Sequence, residues 1–182
     1  MSTPEEHKRE ARKKEELGRI KISFGIITVS SSRYSRKIMG EKVDDPSGDI
    51  AEKLIRASGF EVLYRGLIPD DPEQIRSTLL KTLEIGCSIV IFIGGTGLSR
   101  DDITVDELEK FFEKKIDGFG EAFRMLSYNE IGSSAILSRA TAGVLKGAVI
   151  FALPGSPNAV KLALEKLILP EIRHILYIIN RT

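Results

Sequence analysis

The chain predicts an α/β fold: a doubly wound, mostly parallel sheet with helices on both faces, in a single domain. Three observations carry this expectation. Short β-branched apolar runs alternate with longer segments that are apolar at helical spacing, the rhythm of strand–helix–strand units whose right-handed crossovers cover both faces of a sheet. Each apolar run stops abruptly in a polar or glycine-rich loop, most clearly where Ile89-Val90-Ile91-Phe92-Ile93 meets Gly94-Gly95-Thr96-Gly97. Finally, 182 residues suffice for one sizeable core, and no low-complexity linker divides them.

Residues 1–19 alternate Glu, Lys and Arg, with a helix start at Thr3-Pro4-Glu5-Glu6 and no apolar face to bury. A charged, solvated helical extension is expected there, followed by the domain proper from 20 to 182. Ile22 to Val29 reads as a strand, and Ser30-Ser31-Ser32-Arg33 opens a polar loop that runs to Asp45-Pro46. Ser47 or Asp49 then starts a helix with Ile50, Leu54, Ile55 and Ala57 on one face, closed by Gly59. Phe60 to Ile68 is the next strand, ending in Pro69-Asp70-Asp71-Pro72. A helix with Ile75, Leu79, Leu80 and Leu83 inward runs to Gly86, and Ser88 to Ile93 forms the third strand. Thr104 with Glu107 has the spacing of a capping box for a helix through about Lys114. Further helices are expected around 119–128 and near 133–141. Ala148 to Leu153 is a fourth buried strand, turning through Pro154-Gly155-Ser156-Pro157 into a final helix from Asn158 to about Ile179, bent at Pro170.

Composition narrows the function. The 27 basic and 26 acidic side chains nearly cancel, which argues against nucleic acid as a partner. Cys87 is the sole cysteine, so no intramolecular disulfide forms, and its place at a strand head reads as a small core residue. The start is too charged for a secretory signal, and no apolar stretch reaches the ~20 residues that span a bilayer. A cytoplasmic protein without a membrane partner is the simplest expectation.

Ligands of doubly wound sheets bind outside the carboxyl ends of the strands, where strand order reverses. Four loops belong to that edge: Ser30 to Arg33, Pro69 to Asp71, Gly94 to Asp102 and Pro154 to Asn158. Gly94-Gly95-Thr96-Gly97 suits a nest of backbone N–H groups for phosphate, with the Thr96 hydroxyl added, and equally a tight turn. It has neither the Walker A nor the dinucleotide spacing. Asp70 and Asp102 each follow a different strand, so the fold can bring two carboxylates beside that loop, as Mg²⁺ with substrate phosphates requires. The competing reading has Asp70 and Asp71 capping the next helix and Asp101 and Asp102 on a solvated loop. Ser138-Arg139 offers a hydroxyl and a guanidinium fork for an anion, or a surface arginine. His7 and His174 lack metal-ligand neighbours at helical spacing, which leaves no credible zinc site.

In order along the chain, Thr28-Val29-Ser30, Pro69-Asp70-Asp71, Gly94 to Gly97 with Arg100-Asp101-Asp102-Ile103-Thr104, Gly118 to Arg124, Leu137-Ser138-Arg139-Ala140 and Leu153 to Pro157 resemble the MoaB/MogA family of molybdenum-cofactor biosynthesis proteins. The stretch from Gly118 through Phe123 to Ser127 and on to Gly132 is closer to MoaB. The resemblance implies a molybdopterin adenylyltransferase. In that reaction the molybdopterin phosphate attacks the α-phosphate of Mg-ATP and pyrophosphate leaves. By the same resemblance, Asp102 and Asp70 are the catalytic acids and place Mg²⁺, while Gly94, Gly95, Thr96 and Gly97 hold ATP phosphates. Ser30 belongs to the polar cradle, Ser138 and Arg139 face the pterin end, and Gly155, Ser156 and Asn158 border the nucleotide. Two positions depart from the family pattern: Asp101 stands where Arg is usual, with Arg100 one residue earlier, and Val105 stands where Pro is usual. The resemblance also implies a homotrimer or a hexamer of two trimers, for which Phe111-Phe112 and the apolar final helix offer surface. The alternative function is a catalytically silent pterin- or nucleotide-binding scaffold of the same pathway.

Overall fold

The computed structural model of the chain describes residues 3–16 and 21–181; residues 1, 2 and 17–19 of the expected N-terminal extension lie outside them. Six strands form one sheet in the order β2-β1-β3-β6-β5-β4. Here β1 is Ser23–Val29, β2 Glu61–Ile68, β3 Ile89–Ile93, β4 Lys114–Lys115, β5 Thr141–Leu145 and β6 Ala148–Leu153. The four strands β2, β1, β3 and β6 run parallel, and β5 turns antiparallel to β6, carrying the two-residue β4 at the edge.

Alternation along the central strands divides the interior into two cores. Phe24, Ile26, Ile89, Ile91, Ile93, Val149 and Phe151 face α3 (Pro46–Ala57), α6 (Asp117–Ile131), α7 (Pro157–Ala163) and α8 (Leu169–Ile179). Ile27, Val29, Val90, Phe92, Ile150 and Ala152 face α4 (Pro72–Glu84) and α5 (Thr104–Glu109). Strands so covered on both faces are continuous apolar runs, which is why β1, β3 and β6 are plain in the sequence. The strand over Glu61–Ile68 sits at the sheet edge, and only Ile68 of it is fully buried.

Several expectations are corrected. The stretch after β1 is not a loop throughout: Ser31–Ile38 forms α2, with Ser30 as its N-cap accepting from the Arg33 N–H. It buries no residue, so no apolar stripe announces it. Asp45, not Ser47 or Asp49, caps α3, with Pro46 at the first helical position. Thr104 makes no capping box; it lies buried at the first position of α5, and its N–H is held by the Gly95 carbonyl at 2.9 Å. That helix stops at Glu109, because Glu113 N–H and the residues after it join the ladder of β5. In place of a helix near 133–141 there is a 3₁₀ turn, Gly132–Leu137, and then β5. A hairpin through Lys146 and Gly147, both at positive φ, returns the chain to β6. The final helix carries a π segment, Leu164–Ile168, immediately before Leu169-Pro170.

The charged helix α1 (Pro4–Glu16) does have a face to bury. Ala11 is 1% exposed, Lys8 pairs with Glu171, and the His7 ring lies 5.6 Å from that of His174 on α8. One alanine among charged residues is too small a signal to mark a docking face in the sequence. Among the described residues no helix is long and apolar enough to cross a membrane.

Candidate active site

Strand β1 connects to β2 on one side and β3 returns to the other, so the switch in strand order falls between β1 and β3. The loop Gly94 to Gly97 leaves β3 at that point. Gly94 N–H continues the sheet ladder to the Leu153 carbonyl at 2.9 Å and is therefore not open to a ligand. Among the described residues, the N–H groups of Gly95 and Thr96 donate to no protein acceptor. The anion-binding capacity of the loop thus narrows to Gly95 and Thr96, since the Gly97 and Ser99 N–H groups donate to Asp102. Gly95 has φ +62°, and a Cβ there would collide with Thr104 Oγ1 and come within 2.7 Å of Asp70 Oδ1. Only glycine allows these two oxygens to close on the loop. Thr104 Oγ1 is buried and has no hydrogen-bond partner among the described residues.

The two candidate acids are held alike. Asp70 Oδ2 accepts from the Ser31 N–H at 3.0 Å and the Ser31 hydroxyl at 2.9 Å. Asp102 Oδ2 accepts from the Ser99 N–H at 3.0 Å and the Ser99 hydroxyl at 2.6 Å. The Ser99 hydroxyl holds the Asp102 carboxyl below the usual carboxylate range. The N–H groups of Ser99 and Gly97 and the charge of Arg139 add to this, against a partial opposing effect of burial. Asp70 lies against Gly95 and Asp102 against Gly97. The acids therefore flank a stretch of loop whose Cα atoms are at most ~7 Å apart. Among the described residues no three His, Cys, Asp or Glu side chains gather into a metal cage. An all-oxygen pair of carboxylates beside open N–H groups fits Mg²⁺, which takes one or two carboxylates and completes its shell with phosphate and water.

A cleft of about 460 Å³ opens beside the loop. Its floor is Gly94 to Gly97, Asp102 and the turn Pro154 to Ser156, and its walls come from α6, the 3₁₀ turn and α7. Phe123, Ile131, Leu137 and Ala159 make one surface apolar, while Ser127, Ser134 and Ser138 present hydroxyl-bearing side chains. Ser127 is 5% exposed, and its hydroxyl makes no hydrogen bond among the described residues. An apolar wall with a few polar points suits a flat heteroaromatic ring next to a phosphate.

The fold thus gathers Gly94, Gly95, Thr96, Gly97, Asp102, Ser138, Gly155 and Ser156 at one cleft, with Asp70 behind Gly95. Three expected residues stand apart. Ser30 caps α2, and its neighbour Ser31 makes the contact with Asp70. Arg139 turns into an adjoining groove of about 440 Å³ and pairs with Asp106 at 2.5 Å. Asn158 is exposed in the first turn of α7, whereas Ala159 lines the cleft. Sequence reasoning missed Ser99, Ser127 and Ser134. A serine three residues before an acid on a loop, as Ser99 before Asp102, was the one available signal.

A doubly wound domain with a glycine loop at its switch point, two serine-held acids beside it and a cleft with one apolar wall belongs to the class of proteins that bind a phosphate-bearing, ring-containing small molecule. Residues 25–174 match the family described as "probable molybdopterin binding domain", and the chain belongs to that family. The "probable molybdopterin adenylyltransferase" of Methanocaldococcus jannaschii is 43% identical over 158 residues, covering 85% of this chain and 92% of that protein. The "molybdopterin adenylyltransferase" of Pyrococcus furiosus is 40% identical, covering 94% and 95%. Among solved structures, a molybdenum cofactor biosynthesis protein B superposes with a TM-score of 0.80 at 36% identity, over 90% of this chain and 98% of that one. The tungsten cofactor synthesizing protein MoaB of P. furiosus gives 0.77 at 39% identity, over 86% and 95%.

Proposed function

We propose that the chain is a molybdopterin adenylyltransferase of molybdenum or tungsten cofactor biosynthesis, a nucleotidyltransferase that moves AMP from ATP to the molybdopterin phosphate and releases pyrophosphate. Similarity of 43% and 40% over most of the chain to two proteins named for that activity supports the reaction. The single structural observation that carries it is the pair of serine-held carboxylates flanking a loop with open N–H groups.

In this reading the chain does little covalent work. It positions two anionic phosphates in line and offsets their charge, which is where catalysis of such transfers comes from. Gly95 and Thr96 N–H groups receive ATP phosphate oxygens, and the apolar wall of Phe123, Ile131 and Leu137 covers a ring. Asp70 and Asp102 would hold Mg²⁺, directly or through water, and the ion would neutralise charge on the phosphates. Asp102, kept ionised by Ser99, remains an anion throughout the physiological range. Ser138, where the cleft meets the adjoining groove, marks the pterin end.

We place the reaction in the cytoplasm and the protein in a trimer or hexamer. The expected surface for assembly is revised: Phe111 and Phe112 pack against the core between the sheet and α4–α5. Apolar side chains exposed on α6 and the 3₁₀ turn, Met125, Tyr128 and Ile136, offer surface instead, as does Ile178 on the final helix. Light scattering showing a monomer at working concentration would remove the oligomer.

The test of the activity is pyrophosphate release from Mg-ATP and molybdopterin by the parent chain and by Asp102→Asn. The expected result is turnover in the parent and a loss of about 100-fold or more in kcat in the variant, with ATP affinity largely kept. An unchanged rate in Asp102→Asn would overturn the assignment of that residue. Ligand binding without turnover in the parent would make the chain a silent scaffold.

A further inference from the structure

In Asp45-Pro46-Ser47-Gly48 every residue is engaged, yet no catalytic role absorbs the motif. Asp45 Oδ1 caps α3 by accepting the Gly48 N–H at 3.1 Å. Its Oδ2 accepts from the Thr28 hydroxyl of β1 at 2.6 Å and from the Arg65 guanidinium of β2 at 2.8 Å. Arg65 also donates to Asp49 and Glu52, both at 2.9 Å. Gly48 leaves the space that the guanidinium fills: a Cβ there would collide with Asp45 and Arg65, with Arg65 Cζ only 2.7 Å away. The first turn of α3 is therefore moored to two neighbouring strands close to the edge that carries the site.

From that mooring Ser47, 1% exposed, donates its hydroxyl to the Gly155 carbonyl at 2.7 Å. Gly155 lies over the glycine loop, where a Cβ on it would be 3.5 Å from Gly94 Cα, and it lines the cleft. The next residue, Ser156, caps α7 by accepting the Ala159 N–H at 3.2 Å. Gly155 is itself exposed and carries no side chain, so packing does little to hold its peptide.

We infer that Ser47 is a positioning residue for nucleotide binding: its hydroxyl sets the Gly155 turn against the glycine loop. The inference rests on the proposed function, in which this turn borders ATP. Removal of the hydroxyl should loosen the turn without touching either acid. The effect should then fall on ATP binding in ground and transition state alike, which raises KM for ATP and leaves kcat in place.

The experiment compares the parent with Ser47→Ala, Ser47→Thr and Glu52→Gln. Glu52 shares Arg65 but touches neither Ser47 nor the turn, so its variant reports general weakening of α3. Expected results are faster amide exchange at residues 155–159 and a KM for ATP raised about tenfold in Ser47→Ala, with kcat within about twofold and KM for molybdopterin unchanged. Ser47→Thr, which keeps the hydroxyl, should recover most of the ATP affinity. Glu52→Gln should lower Tm without moving either KM. Unchanged exchange at 155–159, an unchanged KM for ATP, or a Glu52→Gln that matches Ser47→Ala overturns the inference. A parent chain that neither binds nor turns over ATP shows itself before any variant is made, and overturns the functional reading together with this one.

Discussion

Ser31 and Asp70 hold each other reciprocally. The Ser31 hydroxyl donates to Asp70 Oδ2 at 2.9 Å while its oxygen accepts the Asp70 backbone N–H at 2.9 Å. The carboxylate cannot rotate away without breaking both Ser31 bonds to Oδ2, so its second oxygen stays turned to Gly95. Ser31→Ala should lower kcat/KM by about 10-fold, less than Asp70→Asn, and raise the Mg²⁺ concentration needed for half activity. Initial rates across a Mg²⁺ titration check this; an unaltered Mg²⁺ dependence would separate Ser31 from the ion.

Removal of divalent ions tests the donor set directly. Chelation should abolish pyrophosphate release, Mg²⁺ should restore it, and Ca²⁺ should restore far less, because two carboxylates and phosphates form a small octahedral site better than a larger, looser one. Full activity in chelator would show that the acids act without a metal.

Gly95→Ala should be costly twice over. A Cβ at φ +62° strains the backbone, and the same atom collides with Thr104 Oγ1 and crowds Asp70 Oδ1. A loss of about 1–3 kcal/mol in stability is expected from the strain alone, with activity falling below what the folded fraction explains. Urea melts beside rate measurements on the same samples separate the two effects.

Asp45 links stability to pH. Burial alone would push its carboxyl up, yet the Thr28 hydroxyl, the Arg65 guanidinium and the Gly48 N–H together hold it below the usual range. A carboxyl depressed by folding stabilises the protein above its unfolded pKa of about 3.9, and that contribution fades as pH falls toward the folded value. Asp45→Asn should therefore lose about 2 kcal/mol at pH 7 and show a shallower decline below pH 4 than the parent. Parallel acid-limb slopes would assign the linkage elsewhere.

Docking of α1 predicts an effect on stability alone. Ala11→Asp places a carboxylate against α8 where 1% of the alanine is exposed. Tm should drop by several degrees, amide exchange in α8 should quicken, and kcat should hold. A fall in kcat would connect the amino-terminal helix to catalysis.

Legibility in the sequence followed burial. Ile89 to Ile93 and Ala148 to Leu153 are continuous apolar runs because helices cover both faces, and they locate the glycine loop and the Pro154 turn at one edge. Thr141 to Leu145 was hidden because Ala142 and Gly143 are small. The ring of Phe112 occupies the space that a side chain at Gly143 would fill. In the site, the loop that carries Asp102 stands out in the sequence, whereas its partner Ser99 is marked only by the three-residue spacing, since a hydroxyl has no periodicity. For Arg139 the sequence shows a group suited to an anion but not its ion-pair partner, since Asp106 lies 33 residues away in sequence.

The π segment Leu164–Ile168 gives the last helix one residue more than a regular helix would use. Val160, Leu164, Ile168, Ile172 and Leu176 recur at every fourth position, and all are buried. A regular helix advances ~100° per residue, so that spacing would rotate the buried stripe by about 160° between Val160 and Leu176. The wide turn takes back much of this drift and keeps one seam facing the sheet. Deleting a single residue between 164 and 168 would let the stretch close as a regular helix with Ile172 and Leu176 still facing inward, whereas closing the wide turn without a deletion would rotate them toward the surface and strip α1 of its seat. The final helix thus behaves as a two-part key whose wide turn sets the angle between the bits.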